Sequence, residues 1–217
     1  MGALQWLSDI HEFPPVETAM PDGLLAIGGD LDPERLLVAY RHGVFPWFNS
    51  DDMILWWSPD PRMVLYPKKI KVSKSMRKIM DSGQFTLTIN HCFDKVVAQC
   101  AKITRKGQTG TWITPNMQQA YMKLHRSGHA ISYEVWQGNR LVGGLYGVDL
   151  GRVFCGESMF SKVSNASKFA FIKLAHDLQA RQYTFIDCQV YTKHLESLGA
   201  EKMPRNRFIA LLNEALL

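Results

Sequence analysis

A chain of 217 residues has room for one large domain or two small ones, and 46% hydrophobic with 21% charged residues excludes a disordered chain. A net charge of +5 and a pI near 9.0 make polyanions candidate partners. No run reaches the roughly 18 apolar residues of a membrane span, and the N-terminus has neither a basic-then-apolar leader nor a myristoylation pattern, position 6 being Trp6, so a cytoplasmic protein is expected.

The first thirty residues are rich in Pro and turn signals, around Phe13-Pro14-Pro15 and Pro21-Asp22-Gly23, and predict loop with one short strand at most. Asp32 as N-cap, Pro33 at the first helical position and Gly43 beyond the end bracket a helix, Glu34 to His42. Trp47, Trp56 and Trp57 follow, separated by a polar turn at Asn49 to Asp52 and held by prolines, as a rigid aromatic surface. Pro61 and Pro67 imply a stiff junction, so residues 1–63 read as a small N-terminal domain and residues 64–217 as a larger second one. The second opens with Val64 to Tyr66 and a basic helix from Ser73 to Ser82, then a strand, Phe85 to Ile89. Phe93, Val96, Val97 and Cys100 recur at helical spacing, Arg105 to Gly110 reads as a loop, and a helix capped by Thr114 runs from Pro115 to Gly128. Ala130 to Trp136, Leu141 to Val148 and Val153 to Cys155 predict a three-stranded meander. A helix from Asn165 to Arg181, a strand from Tyr183 to Val190 and two short helices, Tyr191 to Leu198 and Asn206 to Leu216, finish the chain.

Two stretches stand out chemically. Val153 to Ser161 places one carboxylate, Glu157, in a small polar turn among Phe154, Met159 and Phe160. In Phe185 to Val190, period-two alternation sends Asp187 and Gln189 to one face and Ile186, Cys188 and Val190 to the other. The polar pair reads either as a site or as an edge strand with two solvated residues. Cys92, Cys100, Cys155 and Cys188 form no Cys-x-x-Cys pair and no zinc spacing with the seven histidines, and read as reduced and mostly buried. A nucleophilic Cys188 aided by His194 is a minor alternative. Lys68, Lys69, Lys71, Lys74, Arg77 and Lys78 form a basic run that suits phosphates, unless it is a solvated helix face, with Lys102, Arg105 and Lys106 further on.

The order of elements predicts an α+β sandwich of the kind acyltransferases use. Where an acetyl-CoA enzyme carries a glycine-rich pyrophosphate loop, Ser161 to Lys168 has no glycine, which argues against that donor.

Taken together, Gly28-Gly29-Asp30-Leu31, Gly43 to Phe48, Trp56 to Arg62, Gly110 to Thr114, Phe154 to Ser161, Asn165 to Lys168 and Ile186 to Gln189 give the chain its character. It resembles the bacterial leucyl/phenylalanyl-tRNA–protein transferases over nearly its whole length. The resemblance implies an acetyltransferase-like (GNAT-like) C-terminal domain, and a monomer that moves Leu or Phe, and less well Met, from aminoacyl-tRNA to an N-terminal Arg or Lys of a protein. The product is a degradation signal of the N-end rule pathway. Because the ester is already activated, no metal or cofactor is expected. The resemblance makes Asp187 and Gln189 the catalytic pair, with Asp187 polarising the Gln189 amide. Gln189 then acts either as the base for the incoming amine or only as its positioner, and both accounts stay open. Glu157 would meet an amino group. Leu145, Phe154, Met159, Phe171, Leu174, Leu178 and Ile186 match the family's pocket for the transferred side chain, although Leu145, Phe171, Leu174 and Leu178 differ in identity from the family pattern while staying apolar. Trp47 and Trp112 match aromatics that hold the 3′-terminal adenosine, and Lys74, Arg77 and Lys78 would grip the acceptor stem. The rival readings are an acetyl-CoA enzyme and a non-catalytic RNA-binding module.

Overall fold

Two sheets carry the chain, and every element the site uses comes from their meeting. The computed structural model describes residues 4–49, 53–103 and 111–217, so the expected loop at Arg105 to Gly110 and most of the turn ending at Asp52 lie outside the described residues. The smaller sheet is built from β1 (Gln5–Leu7), β2 (Leu24–Gly28), β3 (Phe45–Pro46) and β4 (Leu55–Trp57), in the order β1-β2-β4-β3. Between β2 and β3 lies α1 (Pro33–Arg41), where the Asp32 carboxylate accepts the Glu34 N–H at 2.9 Å. Gly43 reverses the chain after this helix at φ +72°, where a Cβ would fall 2.5 Å from Ile209 Cδ1, so only glycine fits.

The larger sheet takes β5 (Arg62–Leu65), β6 (Thr86–Ile89), β7 (Ala130–Gln137), β8 (Arg140–Asp149), β9 (Val153–Ser161), β10 (Phe185–Gln189) and β11 (Glu201–Met203). Its order is β11-β5-β10-β9-β8-β7-β6, antiparallel throughout except for the β9–β10 pair. Alternation along the strands feeds two cores. Val153, Cys155, Phe185 and Tyr146 face a cluster with α3 (Phe93–Lys102), α4 (Pro115–Arg126) and α7 (Arg205–Leu216), and this cluster also takes in Leu36, Tyr40, Phe45 and Trp56 from the first sixty residues. Leu145, Phe154 and Ile186 face the other way, onto α5 (Ala166–Ala180) and the Met76 side of α2 (Lys74–Asp81). The helix α6 (Lys193–Ser197), capped by Thr192, follows β10. The result is the expected α+β arrangement, a seven-stranded mixed sheet covered by helices, with a small N-terminal unit. Among the described residues no helix is long and apolar enough to cross a membrane.

Four features depart from the sequence reading. The first thirty residues hold two short strands, β1 and β2, where one was expected. The polar turn expected after Cys155 is instead continuous strand, because β9 runs on to Ser161 through an irregularity in its pairing with β8. The tryptophan-rich segment pairs into strands, with Pro46 opposite Trp56. The last strand, β11, is three residues long and leaves no periodic pattern to detect.

Candidate active site

Two strand irregularities sit side by side. On β9 the pairing with β8 jumps from Gly147↔Gly156 to Tyr146↔Ser158, which leaves Glu157 as the extra residue of a bulge. On β10 the pairing with β5 jumps from Asp187↔Val64 to Gln189↔Met63, and Gln189 itself adopts φ +63°. The parallel ladder between β9 and β10 ends at Asp187↔Cys155, just before both irregularities. Past that point the two strands no longer pair, and a cavity of about 470 Å³ opens where they diverge.

The start of the gap is pinned by a buried ion pair. Arg62 Nε and Nη2 donate to Asp187 Oδ1 and Oδ2 at 2.8 and 2.6 Å, and the side chains are 1% and 2% exposed. The guanidinium lies between the rings of Phe45 and Phe208, at 4.7 and 4.6 Å from their centroids. Asp187 Oδ1 also accepts the Gln189 backbone N–H at 3.0 Å, which holds the left-handed residue in place.

Beyond the pair lies a second buried carboxylate. Glu157 Oε1 accepts the Tyr40 hydroxyl and the Gln189 side-chain amide, each at 2.8 Å, and Oε2 accepts the Tyr121 hydroxyl. The two tyrosine oxygens are themselves 2.8 Å apart. Burial raises the Glu157 carboxyl to about 7; the three hydrogen bonds work against that rise and the Asp187 charge adds to it. Burial beside this carboxylate pushes both tyrosine hydroxyls well above their ordinary range, so they remain donors. Once ionised, Glu157 can only accept, and in that form the Gln189 amide turns its nitrogen toward it. No described residue donates to the amide oxygen, and Gln189 lines the cavity.

The cavity has a polar wall, an apolar chamber and an aromatic rim. Glu157, Ser158 and Gln189 form the wall, while Leu145, Phe154, Met159, Phe171, Leu174 and Ile186 form the chamber. Trp112 and Trp47 line it as well, the latter 37% exposed, with the Trp57 indole N–H donating to the Trp47 carbonyl at 2.7 Å. Such a site suits a ligand with a bulky apolar group and an amine beside it.

The comparisons with known proteins decide the family. Residues 64–213 match the family model for leucyl/phenylalanyl-tRNA protein transferase, and residues 29–60 match that for its N-terminal domain. A leucyl/phenylalanyl-tRNA–protein transferase from Flavobacterium johnsoniae is 58% identical over 92% of this chain and 94% of its own. Those from Christiangramia forsetii and Shewanella pealeana are 53% and 54% identical, over 96% and 98% of this chain and 100% and 91% of theirs. The chain belongs to the leucyl/phenylalanyl-tRNA–protein transferase family. It is an aminoacyltransferase, moving aminoacyl groups from tRNA to proteins. Among solved structures, a GCN5-related N-acetyltransferase from Kribbella flavida aligns over 77% of this chain and 60% of its own, at TM-score 0.40 and 8% identity.

In this transferase the candidate site residues fall into four groups. Glu157, Gln189, Trp47, Trp112, Leu145, Phe154, Met159, Phe171, Leu174 and Ile186 meet at one cavity. Asp187 lies behind the wall; both its oxygens are occupied by Arg62 and the Gln189 backbone, so the side-chain amide it was expected to polarise bonds to Glu157 instead. Leu178 is fully buried in the α5 core and does not line the cavity. Lys74, Arg77 and Lys78 are exposed on α2 and lie outside the cavity lining. Cys188 does line it, but burial pushes its thiol far up, which removes the thiolate a nucleophile needs.

Arg62, Tyr40 and Tyr121 escaped the sequence reading. Each carried a signal: Arg62 is a lone cation heading the apolar run Met63 to Leu65, and each tyrosine lies on the buried stripe of its helix, where a hydroxyl needs a partner.

Proposed function

We propose that this transferase moves Leu or Phe, and less well Met, from aminoacyl-tRNA to the N-terminal Arg or Lys of acceptor proteins in the cytoplasm, making an N-end rule degradation signal. The observation that carries this reading is the pairing of an apolar chamber with a buried carboxylate and an amide at one cavity wall. The chamber suits a large aliphatic or aromatic side chain and disfavours a charged one, since burying an unpaired charge is costly. Glu157 places in the wall a carboxylate that no described cation pairs, whereas Arg62 neutralises Asp187, and that charge favours the cationic end of an Arg or Lys acceptor. Trp47 and Trp112 offer planar faces for the terminal adenosine, a contact worth about 1–3 kcal/mol per base. The exposed cations Lys74, Arg77 and Lys78 suit acceptor-stem phosphates, which position the tRNA without reading its sequence. The enzyme works as a monomer of two units, residues 1–63 and 64–217, although β5 of the larger sheet begins at Arg62, two residues before that boundary.

The acceptor α-amine attacks the ester carbonyl, forming the C–N bond, and the C–O bond to the ribose then breaks. The Gln189 amide oxygen accepts an N–H of the amine and aligns its lone pair. A neutral amide is a poor base near pH 7, whereas a carboxyl near 7 is matched to the task, so the proton shed by the amine passes to Glu157 and leaves on the ribose oxygen. Asp187 is a positioning residue. The acetyl-CoA reading has little support, since at the start of α5 the Ser161 hydroxyl already accepts the Ser167 N–H that a pyrophosphate would use.

The test is transfer of labelled phenylalanine from Phe-tRNA to a short peptide beginning with Arg, against a matched peptide beginning with Glu. Incorporation into the Arg peptide alone is expected. Equal incorporation into both would overturn the acceptor rule.

A further inference from the structure

A second concavity lies on the α3 side of the sheet, about 520 Å³ in volume, and cations dominate its lining. Lys95 and Lys102 come from α3, Arg140 from the start of β8 and Lys162 from just past the end of β9, with Gln99 and Leu141 between them. Elements distant in sequence are thus brought together to place four positive charges around one hollow. Among the described residues none of the lining is acidic, and the one carboxylate on α3, Asp94, sits in its first turn. All four cations are exposed, and among the described residues none enters an ion pair. An ordinary solvated surface intersperses charges of both signs; a one-sign hollow repels itself until an anion fills it.

The base of the hollow is rigid. The Lys162 N–H donates to the Val142 carbonyl at 2.7 Å, fixing that lysine at the edge of the β8–β9 ladder, and α3 packs on β8 through Val96 beside Gly144. Its place in the fold relates it to the cavity. Leu145 lines the cavity and Leu141 lines the hollow, four residues apart on one strand, a separation of about 13 Å. The cations of α2 belong to the opposite face, where Met76 packs in the α5 cluster, so the two basic sets are independent.

We infer that this hollow is a phosphate-binding site for the tRNA strand as it leaves the cavity, holding the backbone phosphates that immediately precede the terminal adenosine. The inference rests on the aminoacyl end occupying the cavity, as proposed above. It adds a grip on the donor that is separate from the α2 helix and carries no sequence preference.

The test is a variant with Lys95→Ser, Lys102→Ser, Arg140→Ser and Lys162→Ser, studied with two donors: full Phe-tRNA, and 3′-O-phenylalanyl-adenosine, which ends inside the cavity. For Phe-tRNA the dissociation constant should rise about tenfold or more at 0.1 M salt, and the slope of log affinity against log salt should flatten by about two to three. With phenylalanyl-adenosine, kcat/KM should stay within about twofold of wild type. An unchanged affinity and slope with Phe-tRNA would overturn the inference, and so would an equal loss with both donors. A flattened slope in a protein that transfers nothing to the Arg peptide would uphold the hollow while sinking the acceptor reading.

Discussion

Replacing Asp187 by Ala removes half of a buried ion pair, and the structure sets what that costs. The Arg62 guanidinium is left between two aromatic rings at 1% exposure, and its Nη1 already has no partner among the described residues. Breaking a buried pair from one side costs about 3–5 kcal/mol, a large share of the 5–15 kcal/mol that holds a typical domain. For a chain of this size about 1 kcal/mol moves Tm by 2–4 °C, so Asp187→Ala should melt about 6–20 °C below wild type. The Gln189 backbone also loses its anchor, so at 20 °C transfer should slow while affinity for aminoacyl-tRNA is kept. Thermal melts of Asp187→Leu, Arg62→Met and the combined Arg62→Met/Asp187→Leu, run beside Asp187→Ala, form a double-mutant cycle. The double variant should be less destabilised than the sum of the singles by about 2 kcal/mol, because no charge is left stranded. Additive losses, or Asp187→Ala melting within about 2 °C of wild type, would refute the ion pair as the anchor of the site.

Tyr40→Phe and Tyr121→Phe each delete a donor to the Glu157 carboxylate, worth about 1.5–3 kcal/mol, so its carboxyl should rise from about 7 by about one unit or more. The acid limb of the pH–kcat profile should move up equally, measured with a common Arg peptide so that the peptide amine titrates alike. Glu157 has a folded value above its unfolded 4.5, so its contribution is most favourable below pH 4.5 and is lost as pH rises through 7; denaturant melts at pH 5 and pH 8 should show wild type losing about 2–3 kcal/mol relative to Glu157→Gln. Leu178→Ala should cost about 2–5 kcal/mol and leave the Phe-to-Leu transfer ratio unchanged, whereas Leu174→Ala, which widens the chamber, should raise that ratio. Gly147→Ala should abolish soluble expression or lower Tm by more than about 10 °C, because its Cβ would fall 2.2 Å from the Cys155 carbonyl oxygen at the bulge that presents Glu157.

Local rules reached much of this from residues alone. The caps at Asp32 and Thr114 form as their sequences dictate, whereas period-two alternation fails along Phe185 to Val190, since beyond the bulge Cys188 and Gln189 both line the cavity and Asp187 lies behind it. The apolar chamber residues were expected from the resemblance to the family; strand and helix stripes alone say only that they point inward. Leu178 shows where that signal ends: α5 is apolar almost all round, so its pattern cannot say which residues face a cavity and which face core. Long-range partnerships left little trace. Arg62 meets Asp187 across 125 residues and Tyr40 meets Glu157 across 117, and neither spacing carries periodicity. The bulges were hidden for a related reason, since an extra residue in one strand is defined only by the partner it fails to match, and period-two reasoning assumes none.

The most direct measurement is the single-turnover rate of phenylalanine transfer from Phe-tRNA to an Arg-initiated peptide by Gln189→Met. This near-isosteric change keeps the two tyrosine donors on Glu157 but removes the amide oxygen from the cavity wall together with the amide donor to Glu157, so the rate is read at pH 8, where that carboxylate is ionised in wild type. A rate lower by about a hundredfold or more, with Tm and aminoacyl-tRNA affinity close to wild type, is what alignment of the amine by that oxygen predicts. A rate within about threefold of wild type would contradict it and place the chemistry elsewhere in the cavity.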